Sequence, residues 1–102
     1  MENYNVNINY TFRNTESTEP LKEYAQEKIT NCLKKYVHQD VDVQVKLEVE
    51  KHRQIAEVTF NCFGTNFTNS EESESMYKSI DSVIDTVSTR LRRQKDKATS
   101  RH

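Results

Sequence analysis

Glycine and proline are nearly absent from this sequence, whose 102 residues include one of each, Gly64 and Pro20. A single glycine excludes the glycine-rich loop that cradles phosphates in nucleotide-binding proteins, and also the GxxG clamp with which KH domains hold a nucleic-acid backbone. The two cysteines and three histidines lack the spacing of a zinc site, and neither cysteine has an identifiable base to activate it. We therefore expect a protein that is not an enzyme and that uses no metal and no cofactor.

Long apolar runs are also absent, since hydrophobic residues make up 33% of the chain and charged residues 30%. Residues 1–3 lack the basic and hydrophobic segments of a secretory signal. We expect a cytoplasmic protein without membrane contact, in which Cys32 and Cys62 are buried free thiols. The length predicts one domain over residues 1–102, with an ordered core at about 5–97 and a loose carboxyl-terminal tail.

The first third of the chain reads as a strand followed by a helix. Apolar residues occupy every second position of residues 6–12, which is typical of a half-buried strand. Thr18 is a suitable N-cap for the helix that follows, and Pro20 is tolerated in its first turn. The apolar stripe of this helix continues to Tyr36.

Three more strands and a long helix complete the pattern. The alternation returns over residues 41–50 and 56–62, and Gly64 marks a tight turn that needs a positive φ. Residues 65–70 predict a shorter, weaker fourth strand, and residues 73–97 a helix with one apolar face. The apolar positions of that helix are Met76, Tyr77, Ile80, Val83, Ile84, Val87 and Leu91.

This order of elements predicts an α+β fold. Each strand has one apolar face and each helix one apolar stripe, so a two-layer sandwich suffices, with a four-stranded sheet and both helices on one face in the order β-α-β-β-β-α. A right-handed crossover through the first helix makes the first two strands parallel, and the remaining pairs should be hairpins. The arrangement is similar to that of double-stranded-RNA-binding domains.

Charge is distributed unevenly along the chain. Residues 90–102 contain six Lys or Arg and one Asp, a net charge of +5, whereas residues 1–89 carry −6. This asymmetry predicts a polyanion contact at one end of the molecule. The competing interpretation is a solvated helix stabilised by its macrodipole, with Glu71, Glu72 and Glu74 at its start and cations at its end.

Candidate RNA-binding residues follow from this charge pattern. Steps of 100° per residue from Leu91 place Arg90, Arg93 and Lys97 together, roughly opposite the core, with Arg92 to one side. The planar guanidinium of arginine suits bidentate phosphate contacts. No aromatic pair lies on the outer sheet face, so base stacking of the RRM kind is not expected. The full candidate set is Lys22, Lys28, Lys51, Arg53, Arg90, Arg92, Arg93, Lys95 and Lys97.

Four short segments carry a family resemblance: Leu-Glu-Val-Glu-Lys at 47–51, Ala-Glu-Val-Thr at 56–59, Met-Tyr-Lys-Ser-Ile-Asp at 76–81 and Arg-Arg-Gln-Lys-Asp-Lys at 92–97. With them the chain resembles the short-form ribosome hibernation promoting factors of the protein Y and ribosome-associated inhibitor family, nearly from end to end. The resemblance implies the fold derived above. It also implies translation inhibition by binding the small subunit, within the whole ribosome, in the channel for mRNA and tRNA during stationary phase or stress.

The resemblance also implies residue roles and partners. It assigns ribosomal RNA contacts to Lys22, Lys28, Arg93, Lys95 and Lys97, whereas Lys51, Arg53, Arg90 and Arg92 come from the charge argument. Short forms act with a small ribosome modulation factor to pair ribosomes, which predicts the same role here, and we expect a monomer off the ribosome without a small-molecule substrate. Thr86 and Thr89 stand where the family often has basic residues, so the RNA footprint is expected to be shifted.

Two other functions remain open at this point. The chain could be a small domain that binds structured RNA away from ribosomes, because the basic segment alone does not distinguish the two targets. It could also be a protein-interaction module that uses its acidic strands and the acidic residues of its first helix.

Overall fold

The structure is a computed structural model that describes the backbone of residues 4–99 and the side chains of residues 4–94. Its elements confirm the predicted order β-α-β-β-β-α. They are β1 (Val6–Arg13), α1 (Glu19–Tyr36), β2 (Val41–Glu50), β3 (Arg53–Cys62), β4 (Thr65–Ser73) and α2 (Met76–Thr99).

The four strands form one sheet in the order β1-β2-β3-β4. β1 and β2 are parallel because α1 connects them, whereas β2–β3 and β3–β4 are antiparallel hairpins. The pairing of Val6 with Val41 and of Val43 with Phe60 keeps the apolar positions of neighbouring strands on one face. The α+β class, the sheet and its strand directions are therefore confirmed.

Both helices cover this apolar face of the sheet. The core is made by alternate strand residues and by one stripe from each helix, as the sequence periods predict. The Thr18 side chain accepts a hydrogen bond from the Leu21 amide at 3.4 Å, which confirms the predicted N-cap of α1. The core residues that are 2% exposed or less are Ala25, Ile29, Leu33, Val43, Val45, Leu47, Ala56, Val58, Cys62, Phe67, Ile80, Val83, Val87 and Leu91.

The junction of β4 and α2 differs from the sequence prediction. β4 continues to Ser73, and α2 begins at Met76, so Glu71 and Glu72 are strand residues and the first turn of α2 has no acidic residue. The strand continues because residues 71–73 pair with residues 54–56 of β3, where Glu71 lies opposite Ala56. This pairing provides hydrogen-bond partners for backbone N–H and C=O groups of both strands. Glu71 and Glu72 therefore do not lie at the start of α2, whereas Glu74 precedes its first turn as the acidic approach predicted.

Buried serine hydroxyls hold this junction. The Ser79 hydroxyl, in a fully buried side chain, donates to the Gln54 carbonyl of β3 at 2.5 Å. The Ser73 hydroxyl accepts from the Ser75 amide at 3.1 Å and lies 2.9 Å from the Ser79 hydroxyl. Because the bonds join the end of β4, the first turn of α2 and β3, they fix where the helix starts.

The two helices run in the same direction. Near the start of each helix, the Tyr24 hydroxyl donates to Asp81 Oδ1 at 2.6 Å and the Tyr24 ring meets the Tyr77 ring at 4.9 Å. Further along, Cys32 Sγ lies 3.4 Å from Ser88 Oγ. Since both contact points advance towards the carboxyl termini, α1 and α2 end on the same side of the domain.

Candidate nucleic-acid interface

The parallel helices bring exposed cations from both helices to one end of the domain. Cys32 contacts Ser88, 56 residues later, and the same offset places Lys35 beside Leu91. The last turn of α1 therefore lies next to the segment of α2 that carries Arg92 and Arg93. We call the exposed side chains of this region the basic end, which comprises Lys34, Lys35, Arg92 and Arg93.

Sequence reasoning had missed two members of the basic end. Lys34 and Lys35 occupy the last turn of α1, where positive charge is stabilised by the helix macrodipole. They are not adjacent to the basic segment in the sequence, so the charge count over residues 90–102 did not include them. The predicted topology did contain the signal, because a helix after β1 and a helix after β4 must run in the same direction.

Lys95 and Lys97 belong to the same end by their backbone position. The 24 residues of α2 correspond to a length of about 36 Å, whereas α1 has 18 residues. The last two turns of α2 therefore extend beyond the end of α1. The side chains of Lys95 and Lys97 lie outside the described residues.

The Arg90 side chain differs from the prediction that it points away from the core. Its guanidinium carbon lies 4.9 Å from the centre of the Phe67 ring, and its Nη1 atom donates to Asn69 Oδ1 at 2.8 Å and to the Thr68 carbonyl at 3.2 Å. The long side chain folds back onto β4 because the apolar stem can cover Phe67 while the charge finds acceptors. Arg90 therefore fastens α2 to the sheet, and it also lines a shallow surface depression together with Arg93.

Thr86 makes a second connection between α2 and β4. Its hydroxyl lies 2.9 Å from Glu71 Oε2, to which it donates, and 3.2 Å from the Ser82 carbonyl. The position at which the family resemblance leads one to expect a cation is thus occupied by a residue that contacts the sheet. The exposed arginines of α2, Arg92 and Arg93, lie closer to its carboxyl terminus.

The candidates on α1 are separate from the basic end. Lys22 lies in the first turns of α1, where its carbonyl accepts a hydrogen bond from the Tyr10 hydroxyl at 3.1 Å. Lys28 lies midway along the helix, with its Nζ atom 5.3 Å from the centre of the Tyr24 ring. Both side chains are half-buried. The structure therefore does not bring them together with Arg92 and Arg93.

The hairpin candidates lie at the opposite end from the basic end. Lys51 is exposed at the turn between β2 and β3, with a φ of 58°. Arg53 is engaged in ion pairs, because its Nε and Nη2 atoms bind the carboxylate of Glu72 at 2.9 and 2.6 Å and its Nη1 atom lies 3.3 Å from Glu50. This bidentate pairing lowers the pKa of Glu72 through the hydrogen bonds and the positive charge of Arg53. Arg53 is thus not a free cation.

Chemistry elsewhere in the domain is limited. Burial raises the pKa of the Cys62 thiol to about 11 and also raises that of Cys32, so both are poor nucleophiles. Both are free and buried, as predicted. Among residues 4–94, no three His, Cys, Asp or Glu side chains are arranged to hold a metal ion. Within the described chain, neither helix combines the length and apolar character needed to cross a membrane.

Fold and site together define a two-layer α+β domain with a candidate polyanion-binding surface at the shared carboxyl end of its helices. The chain belongs to the family described as sigma 54 modulation protein / S30EA ribosomal protein, whose model matches residues 8–99. This match covers nearly the whole described chain. The resemblance drawn from its short sequence segments is therefore confirmed.

Similar proteins agree with this assignment. The chain is 36% identical over 92 residues to a ribosome hibernation promoting factor of Salmonella typhimurium, covering 90% of this chain and 96% of that protein. It is 34% identical over 92 residues to the protein of that name from Escherichia coli K12, with the same coverage of 90% and 96%. The relative from Pseudomonas putida is 30% identical over 95 residues, which cover 93% of this chain and 92% of that protein.

Solved structures share the fold. The Protein Y amino-terminal domain of Thermus thermophilus superposes with a TM-score of 0.77 and 24% identity, covering 85% of this chain and 97% of that one. A ribosomal subunit interface protein of Coxiella burnetii gives 0.76 and 20%, with coverage of 87% and 97%. The further comparison with double-stranded-RNA-binding domains stays a prediction.

Proposed function

We propose that this protein is a ribosome hibernation factor that binds the small ribosomal subunit in the channel for mRNA and tRNA and thereby keeps ribosomes idle in stationary phase or under stress. The observation that carries the proposal is the parallel packing of α1 and α2, which gathers Lys34, Lys35, Arg92 and Arg93 at one end. The names of its relatives support the ribosome as the target.

The mechanism we propose is occlusion without chemistry. Exposed lysine and arginine side chains at the basic end contact phosphates of ribosomal RNA, and the rigid two-layer domain fills space that mRNA and tRNA need. Phosphate contacts position a protein without reading base sequence, so binding depends on the shape and charge of the RNA. The low nucleophilicity of the two buried thiols is consistent with a non-enzymatic role.

The finer assignments form part of the same proposal. The protein would act in the cytoplasm, would be a monomer off the ribosome, and would help a small modulation factor to pair ribosomes. Lys22, Lys28 and Lys51 would make peripheral RNA contacts, because they lie away from the basic end. Lys95 and Lys97 would extend the basic end along α2. The domain would comprise residues 1–102.

Sucrose-gradient sedimentation tests the proposal. Purified protein is mixed with ribosomes at low and high salt, and again with ribosomes whose mRNA and tRNA sites are occupied. We expect comigration with small subunits and whole ribosomes at low salt, and weaker comigration when salt is raised or the sites are filled. Addition of the modulation factor should increase a ribosome-dimer peak.

Two results would contradict the proposal. Protein that remains at the top of the gradient at low salt does not bind ribosomes. Equal affinity for ribosomes and for naked duplex RNA, at the same total phosphate concentration, would instead support the structured-RNA alternative. The lysines and arginines of the basic end can bind the phosphates of any A-form RNA, so only a preference for ribosomes distinguishes the two functions.

A further inference from the structure

The turn between β3 and β4 carries an exposed aromatic residue in a strained backbone conformation. Cys62 pairs with Thr65, so Phe63 and Gly64 are the two central residues of the turn. Their φ angles are 55° and 71°, and positive values at both positions are the pattern of a type I′ hairpin turn. Asn-Gly is the preferred pair for this turn, because Asn and Gly tolerate the left-handed region.

Phenylalanine is a poor choice for this position on two grounds. A residue with a Cβ is destabilised in the left-handed region, and the Phe63 side chain is also 44% exposed. Isolated exposed apolar residues are common on protein surfaces and indicate nothing by themselves. An exposed aromatic ring held on a strained backbone combines two unfavourable features that Asn would remove. Such outliers concentrate at functional positions.

The turn lies at the same end of the domain as the carboxyl terminus of α2. Contacts of Ser79 with Ser73 and of Arg90 with Phe67 show that α2 runs antiparallel to β4. β4 begins two residues before Phe67, about 7 Å along the strand, and the turn that carries Phe63 lies just beyond that point. Thr99 lies nine residues beyond Arg90, about 13 Å along the helix. The turn and the carboxyl-terminal end of α2 therefore lie on the same side of the Arg90–Phe67 contact.

We propose that Phe63 stacks on an unpaired base of ribosomal RNA while the neighbouring basic end holds the adjoining phosphates. Charge complementarity selects RNA as the occupant, because Arg92, Arg93, Lys34 and Lys35 are exposed cations at this end of the domain. Aromatic side chains recognise unpaired bases by stacking, and a protruding hairpin can reach a base that a flat sheet face cannot. This inference rests on the proposed function and adds a base contact to it.

Opposite changes in stability and affinity provide the test. F63N should raise the midpoint of thermal unfolding by a few degrees, because Asn-Gly suits the turn. The same variant should weaken ribosome binding by about tenfold, the size expected for one lost stacking contact. F63W should bind ribosomes about as tightly as the wild type, because tryptophan also has a flat π face. F63L should bind as weakly as F63N, because leucine is apolar but lacks such a face. Y77N removes the other large aromatic that is exposed among the described residues, at the far end of α2, and serves as the control for affinity alone, because the loss of its ring contact with Tyr24 should lower the unfolding midpoint.

Ultraviolet crosslinking of the wild-type protein to ribosomes gives a direct readout. We expect a nucleotide adduct on the peptide that contains Phe63. F63N with wild-type affinity would overturn the inference while leaving the proposed function intact, provided that the wild-type protein still sediments with ribosomes in a salt-dependent manner. F63L with wild-type affinity would also overturn it, because an apolar protein pocket would then be the partner. Failure of the wild-type protein to bind at all would instead remove the proposed function.

Discussion

The guanidinium group of Arg90 lies 4.9 Å from the ring centre of Phe67 and so connects the third quarter of α2 to the edge strand of the sheet. The Phe67 ring is itself stacked on Phe60, with ring centres 5.1 Å apart and planes at 13°. Arg90 also donates to Asn69, whose side chain is buried on the helix-covered face. The charge of Arg90 thus serves the packing of α2, and the adjacent Arg92 and Arg93 remain exposed.

R90A should therefore act mainly on stability. We expect a loss of about 1–3 kcal/mol in the free energy of unfolding, because a cation–π contact and a charge-assisted hydrogen bond to a buried amide disappear together. Urea denaturation of the wild-type and R90A proteins measures this loss. R90M is the matched control, because it keeps the apolar stem over Phe67 and should lose less. Equal stability of R90A and wild type would contradict the assignment of Arg90 as a packing residue.

R92A/R93A should act mainly on ribosome binding. If the protein contacts about four to six phosphates, log affinity should fall with log salt at a slope of roughly −3 to −5, and removal of two cations should flatten the slope by about 1–2. Equilibrium binding to ribosomes over a range of salt concentrations measures it.

K78A is the control for this experiment, since Lys78 is an exposed cation in the first turn of α2, far from the basic end. Its slope should match that of the wild type. An unchanged slope for R92A/R93A would exclude both arginines from the RNA contact. If K78A flattened the salt slope as much as R92A/R93A does, the slope would depend on the overall charge of the protein and not on contacts at the basic end.

E72Q should lower stability only where Glu72 is ionised. Hydrogen bonds from Arg53 lower the pKa of the Glu72 carboxyl below its ordinary value of 4.5. A lowered folded-state pKa means that the ion pair stabilises the protein above pH 4.5, and that this contribution is lost as the pH falls through the lowered pKa. Thermal unfolding at pH 7 should therefore show a small decrease for E72Q that vanishes once the pH lies below the lowered pKa of Glu72.

E74Q provides the comparison for that measurement, because Glu74 is exposed in the connection between β4 and α2 and is not paired with Arg53. Its unfolding midpoint should stay near that of the wild type at neutral pH. An equal effect of E74Q and E72Q would show that the general charge balance, rather than the Arg53–Glu72 pair, is responsible.

The two thiols should be unreactive until the protein unfolds. With a pKa of about 11, about one Cys62 in a thousand is a thiolate at pH 8, and burial further restricts access to both Cys62 and Cys32. Iodoacetamide at pH 8 should leave the native protein unmodified and should label both cysteines in urea, which mass spectrometry can count. Rapid labelling of the native protein would contradict the buried position of the thiols.

Local sequence patterns were sufficient for most of the fold. The apolar face of an element depends only on residues within that element. It can therefore be read from the alternation between Val6 and Phe12 and from the helical stripe that ends at Tyr36. Boundaries that depend on another element were less predictable. The sequence of β4 alone predicts an end at residue 70, whereas the ladder with β3 carries the strand to Ser73.

The amino-acid sequence by itself determined the order of elements, the buried faces and the family, because these depend on local periodicity and on residue identity. Tertiary structure alone decided which cations are available. Arg90 and Arg53 read as surface charges, but their acceptors lie 21 and 19 residues away in the chain and meet them only after the sheet and helices pack. Lys35 and Arg92 come to the same end of the domain for the same reason, since the direction of each helix is set by the strand that precedes it.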